Sequence, residues 1–346
     1  MNRRYLALVI LFIIALLASL SSSCSDTEEN QSYGPPQVTF PEDEGSHSES
    51  LVEWWYLNAT LHDAQGKEYT AMVAYFTPPM RIISISDLET GTFYHDAPLF
   101  SEMFSTTSSY AEGGLDLRWG ETDLWYRTNS DSFSYRLKAE GETIGLDFEI
   151  ISEKAPLMVG GDGLVEWTEG STYYYSLTRL QVEGQIEFAG RTVDVEGTGW
   201  MDHQWMGGEA LQRGWDWFSI QLDDNTDIIC WQIISGDGSV QSRDLTMMFS
   251  DESIYHTVDL DIEKVSTWTS PETGEIYGTA WRITEAGQGL DLEITTRYNE
   301  QEILMFSDLP EMAWQFWEGG LTVSGEMDGS DVSGSGYAEL VPMLGQ

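Results

Sequence analysis

Gly145-Leu146-Asp147-Phe148-Glu149-Ile150 places an apolar side chain at every second position. That two-residue period is the signature of a strand with one buried and one wet face. Ser132-Phe133-Ser134-Tyr135-Arg136-Leu137 and Leu290-Asp291-Leu292-Glu293-Ile294-Thr295 repeat it. Turn markers separate such runs at roughly 8–12-residue spacing, the pattern of sandwiches and barrels; Asp63-Ala64-Gln65-Gly66, Asp223-Asp224-Asn225, Gly236-Asp237-Gly238 and Asp328-Gly329 are examples. Only Ser101–Ser109 and Leu309–Trp314 leave room for a helical turn. The chain is therefore expected to be all-β.

Length divides the fold further. Roughly 300 residues beyond the leader are too many for one small barrel, so two β-domains are expected. An internal echo agrees. Glu53-Trp54-Trp55-Tyr56 opens a run ending at Leu61-His62-Asp63, and Trp215-Asp216-Trp217-Phe218 opens another ending at Leu222-Asp223; aligning the two takes a one-residue gap. The expected domains are residues 47–207 and 208–346, with the boundary near Gly207-Gly208.

The N-terminus reads as an export signal. Arg3 and Arg4 precede an apolar run to Leu20, and Ser21-Ser22-Ser23 lead to Cys24. Small residues directly before a cysteine resemble a bacterial lipobox, with Leu20 one place earlier than usual. Residues 1–23 are then a lipoprotein-type signal peptide, Cys24 the lipidated residue, and 24–46 a disordered tether with Pro35-Pro36. The expected location is outside the cytoplasm, anchored to a membrane in the periplasm or at the cell surface. The alternative is cleavage near the serines with Cys24 incidental. The chain's other cysteine, Cys230, lies in Asp227-Ile228-Ile229-Cys230-Trp231 and is expected to be a buried small hydrophobe.

Fifty-eight acids against sixteen Lys and Arg give a formal charge of −42. A surface of that sign repels nucleic acid and anionic headgroups, so no nucleic-acid partner is expected. The acids are spread along the chain, as on a solvated face.

Chemistry concentrates in Gly199-Trp200-Met201-Asp202-His203-Gln204-Trp205 and Gly214-Trp215-Asp216-Trp217-Phe218. Four tryptophans, two aspartates and one of five histidines fall there. Two readings fit: the lining of an apolar pocket with a few polar groups, or an aromatic seam between β-domains. A carboxyl buried against indoles keeps its proton, which suits general-acid chemistry, and indole faces stabilise a developing cation. Such parts suit protonation of an apolar alkene followed by capture of water, with Asp202 and His203 as the acid–imidazole pair. The plainer role for Asp202 and His203 is to satisfy buried backbone and indole N–H groups. Glu53 is a further candidate acid, sharing a face with Trp55 while Trp54 and Tyr56 share the other. His47, His62, His95 and His256 are scattered, no His-x-x-x-His or Cys-x-x-Cys spacing exists, and no metal is expected. Neither a Gly-x-Ser-x-Gly elbow nor a phosphate-cradling glycine loop is present.

His47 with Glu53-Trp54-Trp55-Tyr56, the Trp200–Trp205 and Trp215–Phe218 motifs, and the closing Phe316-Trp317-Glu318-Gly319 and Gly336-Tyr337-Ala338-Glu339-Leu340 together resemble one family. It is the carotenoid 1,2-hydratase (hydroxyneurosporene synthase) family, including AttH-like secreted proteins. The resemblance covers nearly the whole chain after the leader, and Trp-x-Asp-His-x-Trp is fairly specific for it. It implies two consecutive lipocalin-like domains, a pocket near their junction, and in the hydratase branch a cofactor-free addition of water begun by an acid. Carried over, His203 and Trp205 fall at pocket positions, with Glu53, Trp54, Trp55, Trp200, Trp215 and Trp217 as further lining. The expectation is a lipoprotein binding a lipid- or isoprenoid-like molecule, as a hydro-lyase using Asp202 or Asp216 with His203. Its rival is a non-catalytic carrier or an accessory of an ABC transporter.

Overall fold

The computed structural model describes residues 34–101, 106–167, 170–206 and 214–342. The signal peptide, Cys24 and the expected boundary at 207/208 lie outside the described residues. Within them the chain is all-β, with one short 3-10 turn at Glu42–Glu44. Of the two possible helical turns, the first lies partly outside the described residues, at 102–105, and ends in the strand Ser108–Tyr110, while 309–313 holds two successive turns and no helix.

Strands between Val52 and Met206 form one antiparallel sheet, and strands between Gly214 and Val341 form a second. In the first, Val52–His62 pairs with Glu68–Thr77 on one side and with Arg191–Met206 on the other, and Gly170–Phe188 lies next. In the second, Gly214–Leu222 pairs with Ser330–Val341, which pairs with Trp314–Met327. Opening and closing strands of each half are thus neighbours. Each sheet curls: Met80–Asp87 reaches Ile144–Ser152 across the first.

Three apolar clusters follow from this arrangement. One fills the first curl around Trp55, Trp125, Phe148, Tyr175 and Met201. Another fills the second around Phe218, Trp281, Trp317 and Leu340. The third lies between the two sheets, with Tyr56, Tyr174 and Trp200 from one half against Trp217, Phe316 and Tyr337 from the other. Strands at this seam are covered on both faces. Val52–His62 is accordingly buried at most positions instead of alternating, which is why Glu53-Trp54-Trp55-Tyr56 reads as a continuous aromatic run.

The stretch expected to be a tether packs against the fold from Val38 onward. Val38 and Glu44 are buried. The backbone carbonyl of Glu44 accepts the indole N–H of Trp55 at 3.0 Å. Tyr135 donates to the Glu44 carboxylate at 2.5 Å and Arg127 pairs with it. Residues 38–46 therefore plug one end of the first curl. Cys230 is buried and unpaired, as its apolar run implied.

The internal echo needs no gap. Tyr56 stands opposite Asp202 as Trp217 stands opposite Glu339, and Leu61 opposite Gly197 as Leu222 opposite Gly334. Trp54 therefore matches Trp215, Tyr56 matches Trp217, and Glu339 occupies in the second half the place of Asp202 in the first.

Candidate functional site

Alternation along Arg191–Met206 decides where its polar residues go. Met201, His203 and Trp205 point into the first curl, whereas Trp200 and Asp202 point into the seam. Asp202 and His203 are therefore on opposite faces of the sheet, because successive strand residues face opposite ways. The expected pairing of His203 with Asp202 is corrected: two separate polar clusters exist.

The seam cluster begins with Asp202, which is buried. It accepts hydrogen bonds from Tyr174 O–H at 2.5 Å, Ser176 O–H at 2.6 Å and Trp200 Nε1–H at 2.7 Å. The neighbouring strand supplies Tyr174 and Ser176. Desolvation outweighs these donors and pushes the Asp202 carboxyl up to about 7. Trp217 of the second half donates its indole N–H to the Tyr174 oxygen at 3.1 Å. Tyr56 reaches the other way, donating to Glu318 at 3.0 Å.

Glu318 stands directly opposite Glu339 in the strand register. Glu318 is sealed from solvent, its Oε1 has no hydrogen-bond donor, and burial followed by the charge of Glu339 holds its carboxyl well above the usual range. Glu339, half-buried on a strand paired on both sides, takes the indole N–H of Trp215 and is raised by burial. The junction thus places three carboxyl groups among Tyr56, Trp200, Trp215 and Trp217.

The second cluster lies inside the first curl. His203 Nε2 lies 2.9 Å from a Glu53 carboxylate oxygen, and His47 Nδ1 is 2.7 Å from the same oxygen. The His47 backbone N–H adds a bond at 3.0 Å, and Asp43 lies 3.2 Å from His47 Nε2. Burial works against ionisation of Glu53, yet its hydrogen bonds from His203 and His47 win and lower its pKa. For His47 the balance is similar: burial lowers, and the bonds to Glu53 and Asp43 raise it on balance. The wholly buried His203 is lowered by desolvation. Trp205 stacks flat on His47 with ring centroids 3.9 Å apart, and Trp55 stacks on His203 at 4.6 Å.

Sequence spacing was a poor guide to this donor set. His47, Glu53 and His203 bring ligand-type atoms within 4.8 Å of one another, because neighbouring strands deliver Glu53 and His203 while the plug delivers His47. Two imidazoles and a carboxylate would accept a divalent cation. In this arrangement they are already bonded to each other.

Asp216 belongs to neither cluster. It points into the second curl, where Gln232 donates to it at 2.8 Å and Lys264 lies 3.6 Å away. Trp215 and Trp217, one residue to either side, face the seam. Of the expected pocket residues, Trp54, Trp200, Trp215 and Trp217 meet at the junction, whereas Glu53, Trp55 and Trp205 line the first curl. Tyr174 and Glu339 were missed as site residues. Their signal was an acid or a tyrosine within a strand otherwise covered on both faces. Two clefts of about 510 and 480 Å³ open between the halves, one beside Lys67 and Arg297, the other beside Arg81, His95 and Trp119.

Comparison with known proteins adds ancestry to this geometry. A family model described as AttH-like matches residues 31–342. Kievitone hydratase of Fusarium solani subsp. phaseoli is 20% identical over 303 residues, 86% of this chain and 84% of that protein. Ceramide-binding protein svf1 of Schizosaccharomyces pombe is 28% identical over 225 residues, 56% of this chain and 59% of svf1. A crystal structure assigned to AttH from Nitrosomonas europaea matches with a TM-score of 0.75 at 27% identity, covering 90% of this chain and 100% of that one. Kievitone hydratase from Nectria haematococca matches with a TM-score of 0.71 at 19% identity, covering 89% and 93%.

Proposed function

The chain belongs to the AttH-like family, and from that membership we propose that it is a hydratase-like protein acting on a lipophilic, isoprenoid-like alkene at the junction of its two halves. The observation that carries this reading is Asp202: a carboxyl pushed up to about 7 by burial, set among Tyr56, Trp200 and Trp217. A carboxylic acid that keeps its proton near neutral pH is the donor that protonation of an electron-rich double bond requires. The surrounding rings would stabilise the resulting cation, a contribution of about 2 kcal/mol or more when desolvated. Water then completes the addition, and no cofactor is needed. The kinship with kievitone hydratase, whose name records a hydration, supports the same reaction class.

The test is conversion of acyclic isoprenoid alkenes to tertiary alcohols by purified protein. Asp202→Asn is expected to lose about 10²-fold or more in kcat, the usual worth of a general acid. Asp216→Asn, whose side chain faces away from the junction, should retain activity. Equal inertness of wild type and Asp202→Asn across the panel would end the enzyme reading.

A second reading is favoured by the continuous apolar cluster at the seam and by the ceramide binding recorded in the name of svf1. In it the junction carries a lipophilic molecule without changing it. Native mass spectrometry would then find a retained lipid, unchanged in Asp202→Asn. Both readings place the chain outside the cytoplasm, anchored through lipidated Cys24, with a transporter of the ABC class as a candidate partner. Loss of lipid incorporation and of membrane association in Cys24→Ser tests the anchor.

A further inference from the structure

Glu318 and Glu339 face each other across adjacent strands at the seam, and nothing in the reaction described so far uses them. Their geometry poses a charge problem. Oε2 of Glu318 accepts the Tyr56 hydroxyl at 3.0 Å, while its buried Oε1 has no donor at all. Glu339 is its cross-strand neighbour, lies in side-chain hydrogen-bond contact with it, and receives the Trp215 indole N–H. The titratable groups acting on the pair are Tyr56 from Val52–His62, Tyr337 from Ser330–Val341, and across the seam Tyr174 and Asp202. Among the described residues none of these is a base. Two anions on directly opposed residues, in a buried surround with no cation among the described residues acting on them, would repel strongly. A single proton held between them removes one charge and supplies the donor that Oε1 lacks.

The internal repeat gives this pair its meaning. Glu339 occupies the position of Asp202 in the other half, and each half sends an aromatic donor across the seam: Tyr56 to Glu318, Trp217 to Tyr174. The junction is therefore acidic from both sides. We propose that Glu318 and Glu339 share one proton and form the second acid–base group of the junction, taking up the proton that water releases when it adds to the substrate.

This step rests on the hydratase reading, and its atoms balance as follows. The Asp202 O–H bond breaks and its proton forms a C–H bond with the alkene's electron pair, leaving a cation at the more substituted carbon. The oxygen of water bonds to that carbon. One water proton passes to the ionised member of the glutamate pair, and an equivalent proton returns through solvent to Asp202. The net change is addition of one water. Glu339, the less buried of the two glutamates, is the member that exchanges that proton with solvent in this scheme.

Infrared difference spectroscopy of full-length protein with ¹³C-labelled glutamate tests the shared proton without reference to turnover. Wild type at neutral pH should show a protonated glutamate carboxyl that disappears in Glu318→Gln and in Glu339→Gln. Should either variant fail to fold, the pH titration of that band in wild type carries the same test. Only ionised glutamate bands at neutral pH would overturn the pair. Where turnover is measurable, Glu339→Gln should lower kcat about 10²-fold with KM kept; an unchanged kcat removes its chemical role. A protonated pair in a protein inert toward every alkene would leave the shared proton standing and remove the hydratase reading.

Discussion

Asp202 owes its protonation to enclosure. Its carboxyl rises from the ordinary 3.8 to about 7 because desolvation outweighs three hydrogen bonds. Between those values the folded chain holds a proton that the unfolded chain has released. Stability therefore falls as pH rises from about 4 to about 7, and levels off above. Asp202→Asn is expected to flatten that part of the profile, measured by urea midpoints at several pH values. Glu53 acts in the opposite sense at the acid end, and His47 in the same sense as Asp202. The lowered Glu53 contributes stability that is lost as pH falls through its folded pKa, and the raised His47 contributes stability lost as pH rises through its own. At this scale the sequence was partly legible. Acids embedded among indoles marked Asp202 and Glu53 as unusual. The adjacency of Asp202 and His203 misled, because neighbours in a strand are separated by the sheet itself.

Elements explain what single residues do not. The wet-face alternation at Gly145–Ile150 was readable because one side of that strand meets solvent. Val52–His62 and Gly214–Leu222 gave no such alternation, since both of their faces are packed. Pairing between first and last strands of each half was not readable, because contacts so distant along the chain leave no local pattern. The glycines that permit this pairing are specific. A Cβ at Gly197 would lie 2.1 Å from the carbonyl oxygen of Thr60, and one at Gly334 would lie 2.2 Å from that of Gln221. Gly197→Ala and Gly334→Ala should each destabilise by about 1–3 kcal/mol, the range of overpacking, seen as matched losses in thermal midpoint. Trp217→Ala should cost about 3–5 kcal/mol, with loss of the indole bond to Tyr174 adding to the cavity.

At the scale of the whole chain, one buried carboxylate ties the halves. Asp227 of the second accepts from Lys154 at 2.7 Å, Arg179 at 2.6 Å and Thr178 at 2.9 Å, all of the first. Asp227→Ala leaves two cations without their partner and should cost about 3–5 kcal/mol, measured by urea denaturation. The remaining charge is overwhelmingly negative, at −42 overall. Self-repulsion of that size should relax with salt, so the thermal midpoint is expected to rise between about 0.01 M and 1 M NaCl. Asn58 donates to Ser219 at 3.4 Å where the two halves meet, and by the register these residues are counterparts. Tyr56 and Trp217, also counterparts, meet there edge to face with ring centroids 5.7 Å apart, as equivalent residues beside a twofold axis do. The seam is therefore built like the isologous interface of a homodimer, with a linker making its two subunits one chain. Either subunit alone would carry a self-complementary aromatic face. Expressed singly, it should associate with a second copy of itself.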